Sequence, residues 1–255
     1  MIEVNNLIKE FKLSRQQRKE LNTKNSSVRA VNNISFSCEP GRVFSLLGPN
    51  GAGKTTTLRM ISTILQPTEG TIKVAGHDVV KSPQQVRQSI GFLTGSTGLY
   101  QRLTVNEVIK YFGDLYNVPK PVFKERKEKL YTLLGMHDFA KKRVGQLSTG
   151  MKQKVSITRT MIHDPQVVVF DEPTSGLDVI TAENIIQLIL DCKKEGKTVI
   201  FSSHIMSEVD LLCDDLAIIH KGNLLFKGTM KDFKSNMQTE SLTEEFIRIV
   251  KAGSN

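Results

Sequence analysis

The chain has 255 residues, enough to bury a sizeable core as one large domain or as a domain with a subdomain. Its 39% hydrophobic content is ordinary for a globular protein, and no apolar run approaches the ~20 residues of a bilayer-spanning helix. Lys and Arg outnumber Asp and Glu by 35 to 26, a formal charge of +9, which permits an anionic neighbour. Met1-Ile2-Glu3-Val4 is not a charged segment leading into an apolar one, so no secretion signal is read and a cytoplasmic location is expected. Cys38, Cys192 and Cys213 are far apart, with no C-x-x-C pair, and read as reduced, buried thiols.

In chain order, residues 2–8 and 31–38 alternate as strands do, and the basic segment 12–27 between them reads as an inserted loop or hairpin. Lys12, Arg15, Arg18, Lys19 and Lys24 stand there against Glu20 alone. A second basic stretch runs from Lys120 to Arg143. Neither is interleaved with the aromatic residues that serve as stacking platforms, which argues against a nucleic-acid partner. Val43 to Leu47 is an apolar strand leading into Gly48-Pro49-Asn50-Gly51-Ala52-Gly53-Lys54-Thr55. A helix with Leu58, Ile61, Ile64 and Leu65 on one face is predicted next. Strand, loop and helix together make G-x-x-x-x-G-K-[ST] a physical statement. The glycines let successive N–H groups turn inward as an anion nest, and the helix adds its positive end. Lys54 would reach the β- and γ-phosphates and the Thr55 hydroxyl would ligate Mg²⁺, so the chain is expected to bind a nucleoside triphosphate.

After the turn Pro67 to Gly70, short strands follow at Thr71 to Val74 and Ile90 to Leu93. From Ser96 to Ile162 the period becomes helical, with Val105, Ile109 and Phe112, then Leu130, Leu133 and Leu134, on shared faces. Strands return at Val167 to Phe170, Thr198 to Phe201 and Leu216 to Ile219 with helices between them, a pattern for a parallel α/β sheet. The tail Ser241 to Lys251 reads as a short helix.

Three further features carry chemistry. Val167 to Phe170 is a strand ending in Asp171 and Glu172, the position at which a parallel sheet gathers its ligand. Asp171 would help hold Mg²⁺, and Glu172 could take a proton from an attacking water; adjacent acids in a strand point to opposite sides. Leu147-Ser148-Thr149-Gly150-Met151 precedes a helix, with Ser148 as N-cap. Alone, it fits either simple capping or a second anion site. His204, after Val199-Ile200-Phe201-Ser202-Ser203, fits either a structural histidine or a contact to a γ-phosphate.

GPNGAGKT, LSTGM, VVVFDE, Ser175-Gly176-Leu177-Asp178 and the His204 segment occur in the order of an ABC transporter ATPase subunit, which the chain resembles over nearly its whole length. The resemblance implies a P-loop NTPase: a RecA-like α/β core with an antiparallel β region plus the ABC α-helical subdomain. In a single 1–255 nucleotide-binding domain, the core would be 1–95 and 163–229, the helical subdomain 96–162, and the helical tail 230–255. It implies ATP and Mg²⁺ as cofactors, with Asn50, Gly51, Ala52, Gly53, Lys54, Thr55 and Thr56 around the phosphates and Thr55 and Asp171 at the metal. It implies a homodimer that sandwiches ATP between one subunit's phosphate loop and the other's Ser148, Thr149 and Gly150. Catalysis would fall to Glu172 as general base, with His204 sensing the γ-phosphate beside Lys54. Asp178 would communicate across the dimer, and Phe11 lies where the family stacks an aromatic on adenine. A membrane-spanning permease and a peripheral place on the cytoplasmic face of the cell membrane follow from the same resemblance.

The chain departs from the family where Gly95 replaces the usual Gln or Glu, where Thr149 and Met151 replace the commoner Gly and Gln, and in the insertion 12–27. Gly95 to Tyr100 with Leu103 to Glu107 is most similar to the ABC-2 exporter branch, and within it to NatA-type sodium-extrusion ATPases. Other ABC-2 cargoes (drug, peptide or lipid) stay open. A DNA- or ribosome-directed ABC ATPase would resemble a fusion of two units or carry long coiled coils, and a GTPase would carry N-K-x-D. Neither pattern is present.

Overall fold

The computed structural model describes residues 1–20, 22–94 and 98–253, without the side chain of Gln17. Its first half runs β1 (Ile2–Lys12), α1 (Arg15–Glu20), β2 (Ser27–Cys38), β3 (Val43–Leu47), α2 (Lys54–Ile61), β4 (Glu69–Val74), β5 (His77–Asp78), α3 (Pro83–Ser89) and β6 (Ile90–Thr94). A helical stretch follows: α4 (Val105–Leu115), α5 (Lys120–Leu134), two single 3₁₀ turns, and α6 (Thr149–Met161). The rest is β7 (Val167–Asp171), α7 (Val179–Lys194), β8 (Thr198–Ser202), α8 (Met206–Leu212), β9 (Asp215–His220), β10 (Asn223–Thr229), α9 (Met230–Ser235) and α10 (Leu242–Ala252).

Two sheets form. One is antiparallel, in the order β2-β1-β4-β5; the other runs β10-β9-β3-β8-β7-β6, parallel from β9 to β6 with β10 antiparallel on its edge. Strands β3, β7 and β8 are buried along their whole length, because helices and the second sheet cover both faces. Alternation within each strand then feeds two cores. Val43, Leu47, Val168, Phe170, Val199 and Phe201 face the helical side, with α4 to α7. Phe44, Leu46, Val167, Val169 and Ile200 face α2 and the antiparallel sheet. Helix α2 is thus sandwiched between the sheets through Leu58, Met60 and Ile61.

The β4 pairing with β1 stops at Ile8–Glu69, whereas β1 and β2 stay paired out to Lys12–Ser27. The basic insertion is therefore a hairpin arm with α1 at its tip. Helix α2 is shorter than its apolar spacing predicts: it ends at Ile61, Thr63 turns out at φ +61°, and Ile64 is 58% exposed. Helices α8 and α9 fall where helices are expected, between strands and in the tail, whereas strands β5 and β10 and helix α3 go beyond the sequence reading. They are short and shallow, and β10 has no fully buried residue to give it a period.

Candidate functional site

The site begins with register. In the parallel sheet Asp171 lies opposite Thr94 on one side and Ser202 on the other, and Ser202 lies opposite Leu46. The carboxyl ends of β6, β7, β8 and β3 therefore meet along one edge, and β3 runs straight into the phosphate loop.

The loop's shape depends on glycine. Gly53 is the N-cap of α2 at φ 109°, a conformation that L side chains rarely adopt, and a Cβ there would run into the Ala30 carbonyl. A Cβ on Gly48 would overlap the Ile219 carbonyl oxygen. Ala52 and Gly53 are buried while Asn50 and Gly51 are exposed, and Thr55 and Thr56 are half-buried at the start of α2. Lys54 is buried, and its ammonium donates to the Gly48 carbonyl at 2.6 Å and to that of Pro49 at 3.2 Å. Burial pushes its pKa below the ordinary lysine value; Glu172 and Asp171 pull the other way.

Thr55 Oγ1 donates to Asp171 Oδ1 at 3.2 Å, so hydroxyl and carboxylate already converge. The same Oδ1 accepts from the fully buried Ser202 hydroxyl at 2.7 Å. Ser202 Oγ in turn accepts from the Glu172 N–H at 3.1 Å, and the Ser202 carbonyl lies 3.2 Å from that N–H. Glu172 is not the next extended residue of β7: it sits at φ +51°, beyond the strand end at Asp171. The expectation that the two acids part by simple pleat is corrected here; a left-handed turn, held by Ser202, separates them. Such a backbone in a non-glycine residue costs of order 1 kcal/mol and persists because its surroundings fix it. Glu172 Oε1 lies 3.5 Å from His204 Nδ1, with the His204 side chain 57% exposed. Behind His204, buried Ser203 donates to Glu208 at 3.0 Å and caps the Ile205 N–H, anchoring the turn from β8 to α8.

Lys54, Thr55, Asp171, Glu172 and His204 thus gather at one sheet edge. Phe11 lies opposite Val28, two residues before Ala30, whose carbonyl backs Gly53. The residue is 36% exposed, with the Lys9 ammonium 5.1 Å from its ring centre. Ser148, Thr149 and Gly150 have no hydrogen bond or ion pair to this cluster. Ser148 caps α6 by accepting from the Met151 N–H, and Ser148 and Thr149 are exposed. The leading N–H groups of that helix have no intrahelical acceptor, as at any helix start. Asp178 caps α7 through the Thr181 N–H and hydroxyl, which hold its carboxyl below the usual range. Beside it Val179 and Ile180 are 86% and 75% exposed. Gly95 lies outside the described residues.

Ser202 is the residue that sequence reading passes over. It reads as a connector to His204, although a serine closing the apolar run Val199-Ile200-Phe201 is itself a signal, since a buried hydroxyl needs partners. Gln153 likewise goes unnoticed, donating from α6 to the Pro173 carbonyl just past Glu172 at 3.2 Å.

A family model described as ABC transporter matches residues 31–175. The chain is 45% identical over 225 residues to the ABC transporter ATP-binding protein NatA of Bacillus subtilis (strain 168), which covers 88% of this chain and 92% of that protein. It is 35% identical over 214 residues to the linearmycin resistance ATP-binding protein LnrL of the same organism, across 84% of this chain and 69% of that one. Among solved structures, an ATP-binding subunit of an ABC transporter superposes with a TM-score of 0.85 at 25% identity, covering 98% of this chain and 99% of that one. The phosphate loop, the acids at the end of β7 and the two-sheet core accord with these likenesses, and the chain belongs to the ABC transporter family, as one of its ATP-binding ATPase subunits.

Proposed function

We propose that this chain is the ATP-hydrolysing subunit of an ABC-2 exporter, working as a homodimer with a separate membrane-spanning permease on the cytoplasmic face of the membrane, and that its cargo is sodium. The observation that carries the dimer is the separation of two anion-binding features. Lys54, Thr55, Asp171, Glu172 and His204 share one sheet edge, whereas Ser148, Thr149 and Gly150 present an exposed helix start with no bond to it. A second copy would bring its Ser148-Thr149-Gly150 against the first copy's phosphate loop, closing ATP between them.

On this reading Phe11 stacks on adenine, and the backbone from Asn50 to Thr56 surrounds the phosphates. The donors that would hold Mg²⁺ fit that ion: the Thr55 hydroxyl and the Asp171 carboxylate are hard oxygens already 3.2 Å apart. Bound there, the ion would neutralise charge on the β- and γ-phosphates. Glu172 takes the proton of the attacking water, His204 contacts the γ-phosphate and orients Glu172, and Asp178 passes the state of one site to the other. The stroke would reach the permease through the chain segment Gly95 to Tyr100.

Ser202 serves this reaction as a positioning residue, because one hydroxyl orients Asp171 and holds the turn at Glu172. Ser202→Ala is expected to cut turnover about tenfold and to raise the Mg²⁺ concentration needed for half-maximal rate, with ATP affinity little changed. A magnesium titration of ATPase rate checks this; an unchanged magnesium response would remove the role.

Sodium as cargo rests on the NatA-type resemblance. The likeness to a linearmycin resistance protein favours drug export as a second reading. Vesicles holding this subunit and its permease should move ²²Na⁺ only with ATP. ATP hydrolysis without sodium flux would leave the exporter ATPase standing and shift the cargo to a drug.

A further inference from the structure

We propose that the β1–β2 hairpin arm is a docking surface for anionic phospholipid, seating the subunit against the bilayer. The inference rests on the membrane-peripheral location proposed above and names the part of the chain that makes the contact.

Geometry comes first. Because β4 leaves β1 at Ile8, the two-stranded arm projects past the antiparallel sheet for about 13 Å, four residues at ~3.3 Å each, before α1 begins. Lys12, Arg15, Lys19 and Lys24 are exposed on this arm. Among the described residues none of them, nor Arg18, forms an ion pair, and Arg18 Nε is buried without a hydrogen-bond partner. The acids nearby are already engaged: Glu10 by the Ser27 hydroxyl and by Arg29 at 3.9 Å, Glu20 by Gln16 at 2.9 Å.

The second basic stretch provides the contrast. Around α5, Arg126 pairs with Asp164 at 2.8 Å and Lys129 with Glu195 at 3.0 Å, while the Lys127 ammonium lies 5.0 Å from the Tyr131 ring. Three of the eight Lys and Arg from Lys120 to Arg143 are engaged in this way; among the described residues, none of the hairpin's five is paired with an acid.

Charge complementarity selects the occupant. The dimer proposed above joins two copies through the phosphate loop and Ser148, whereas a second copy seated on this arm would set Lys12, Arg15, Lys19 and Lys24 against like charge. The arm's exposed aromatic, Phe11, is the one proposed to stack on adenine, and from Lys12 to Val28 no further aromatic offers successive bases a platform, which disfavours single-stranded nucleic acid. An anionic leaflet needs only closely spaced cations on a projecting element, and a subunit of a membrane transporter works beside one. Among the described residues no helix is long and apolar enough to cross a membrane, so surface attraction of this kind supplies affinity without insertion.

The test is co-sedimentation of the full chain with vesicles of phosphatidylcholine alone or with 30% phosphatidylglycerol, over a series of salt concentrations. Each cation near an anionic surface multiplies partitioning about fivefold at low salt. A variant carrying Lys12→Gln, Arg15→Gln, Lys19→Gln and Lys24→Gln should therefore lose roughly two to three orders of magnitude in binding to anionic vesicles. Its ATP affinity and thermal melt should match the parent's. A control carrying Lys120→Gln, Lys124→Gln, Lys141→Gln and Lys142→Gln loses the same formal charge and should keep binding. Equal losses in both variants, equal binding to neutral vesicles, or full retention by the hairpin variant would each overturn the proposal. So would salt-sensitive capture of a single-stranded RNA oligomer without any preference for anionic vesicles. Recruitment by permease-containing membranes that survives the hairpin variant, with no vesicle binding by the chain alone, would sink the inference while sparing the peripheral location.

Discussion

Glu172→Gln is expected to lower steady-state ATP hydrolysis by about 10²- to 10⁴-fold while leaving ATP affinity intact, the range lost when a general base is removed. The substitution keeps the side chain's shape beside His204 at 3.5 Å and removes only its capacity to accept a proton. The backbone turn at φ +51° should survive, because the Glu172 N–H is held by the Ser202 hydroxyl and carbonyl, which the change does not touch. Chemistry would then stop with both nucleotides enclosed, so the variant should elute as a dimer in ATP where the parent returns to monomer. Phosphate release and gel filtration in ATP check the two halves of this expectation. Rapid turnover by the variant would take the proton-accepting role away from Glu172.

Lys54→Ala is expected to weaken ATP binding by about 10- to 100-fold, the value of a charge-assisted hydrogen bond to a phosphate. The side chain is buried and desolvated, and its ammonium rests on the Gly48 and Pro49 carbonyls at 2.6 and 3.2 Å. Those two neutral acceptors replace water only in part, which is why burial still lowers its pKa. Phosphate oxygens would satisfy the ammonium far better than carbonyls do, so the binding energy is concentrated at one atom. Calorimetric titration with ATP measures the loss, with thermal melting as the check that the fold persists. Affinity equal to the parent's would mean that the loop does not hold the nucleotide through Lys54.

Much of this protein is legible in the chain because the information is local. A glycine loop between an apolar strand and a helix start can do little but curl around an anion, and apolar runs of three or four residues ending in Ser-Ser-His or Asp-Glu announce buried parallel strands with polar ends. Edges are less legible. Helix α2 stops at Ile61 because Thr63 turns left-handed, although Ile64 and Leu65 continue its apolar spacing. Strand β10 shows no period because none of its residues is fully buried.

The sequence by itself determined the residue types of the site, the order in which they arrive and the family to which the chain belongs. Tertiary structure alone decided their joining. Register between β7 and β8 sets Asp171 opposite Ser202, so one hydroxyl spans both acids, and no spacing in the chain encodes that pairing of residues 31 positions apart. Packing likewise separated two basic stretches of similar composition, one partly met by acids just past α7 and before β7, the other carried out on a paired arm with no ion pair among the described residues. Charge belongs to the sequence, but its neutralisation depends on what the fold brings within a few ångströms.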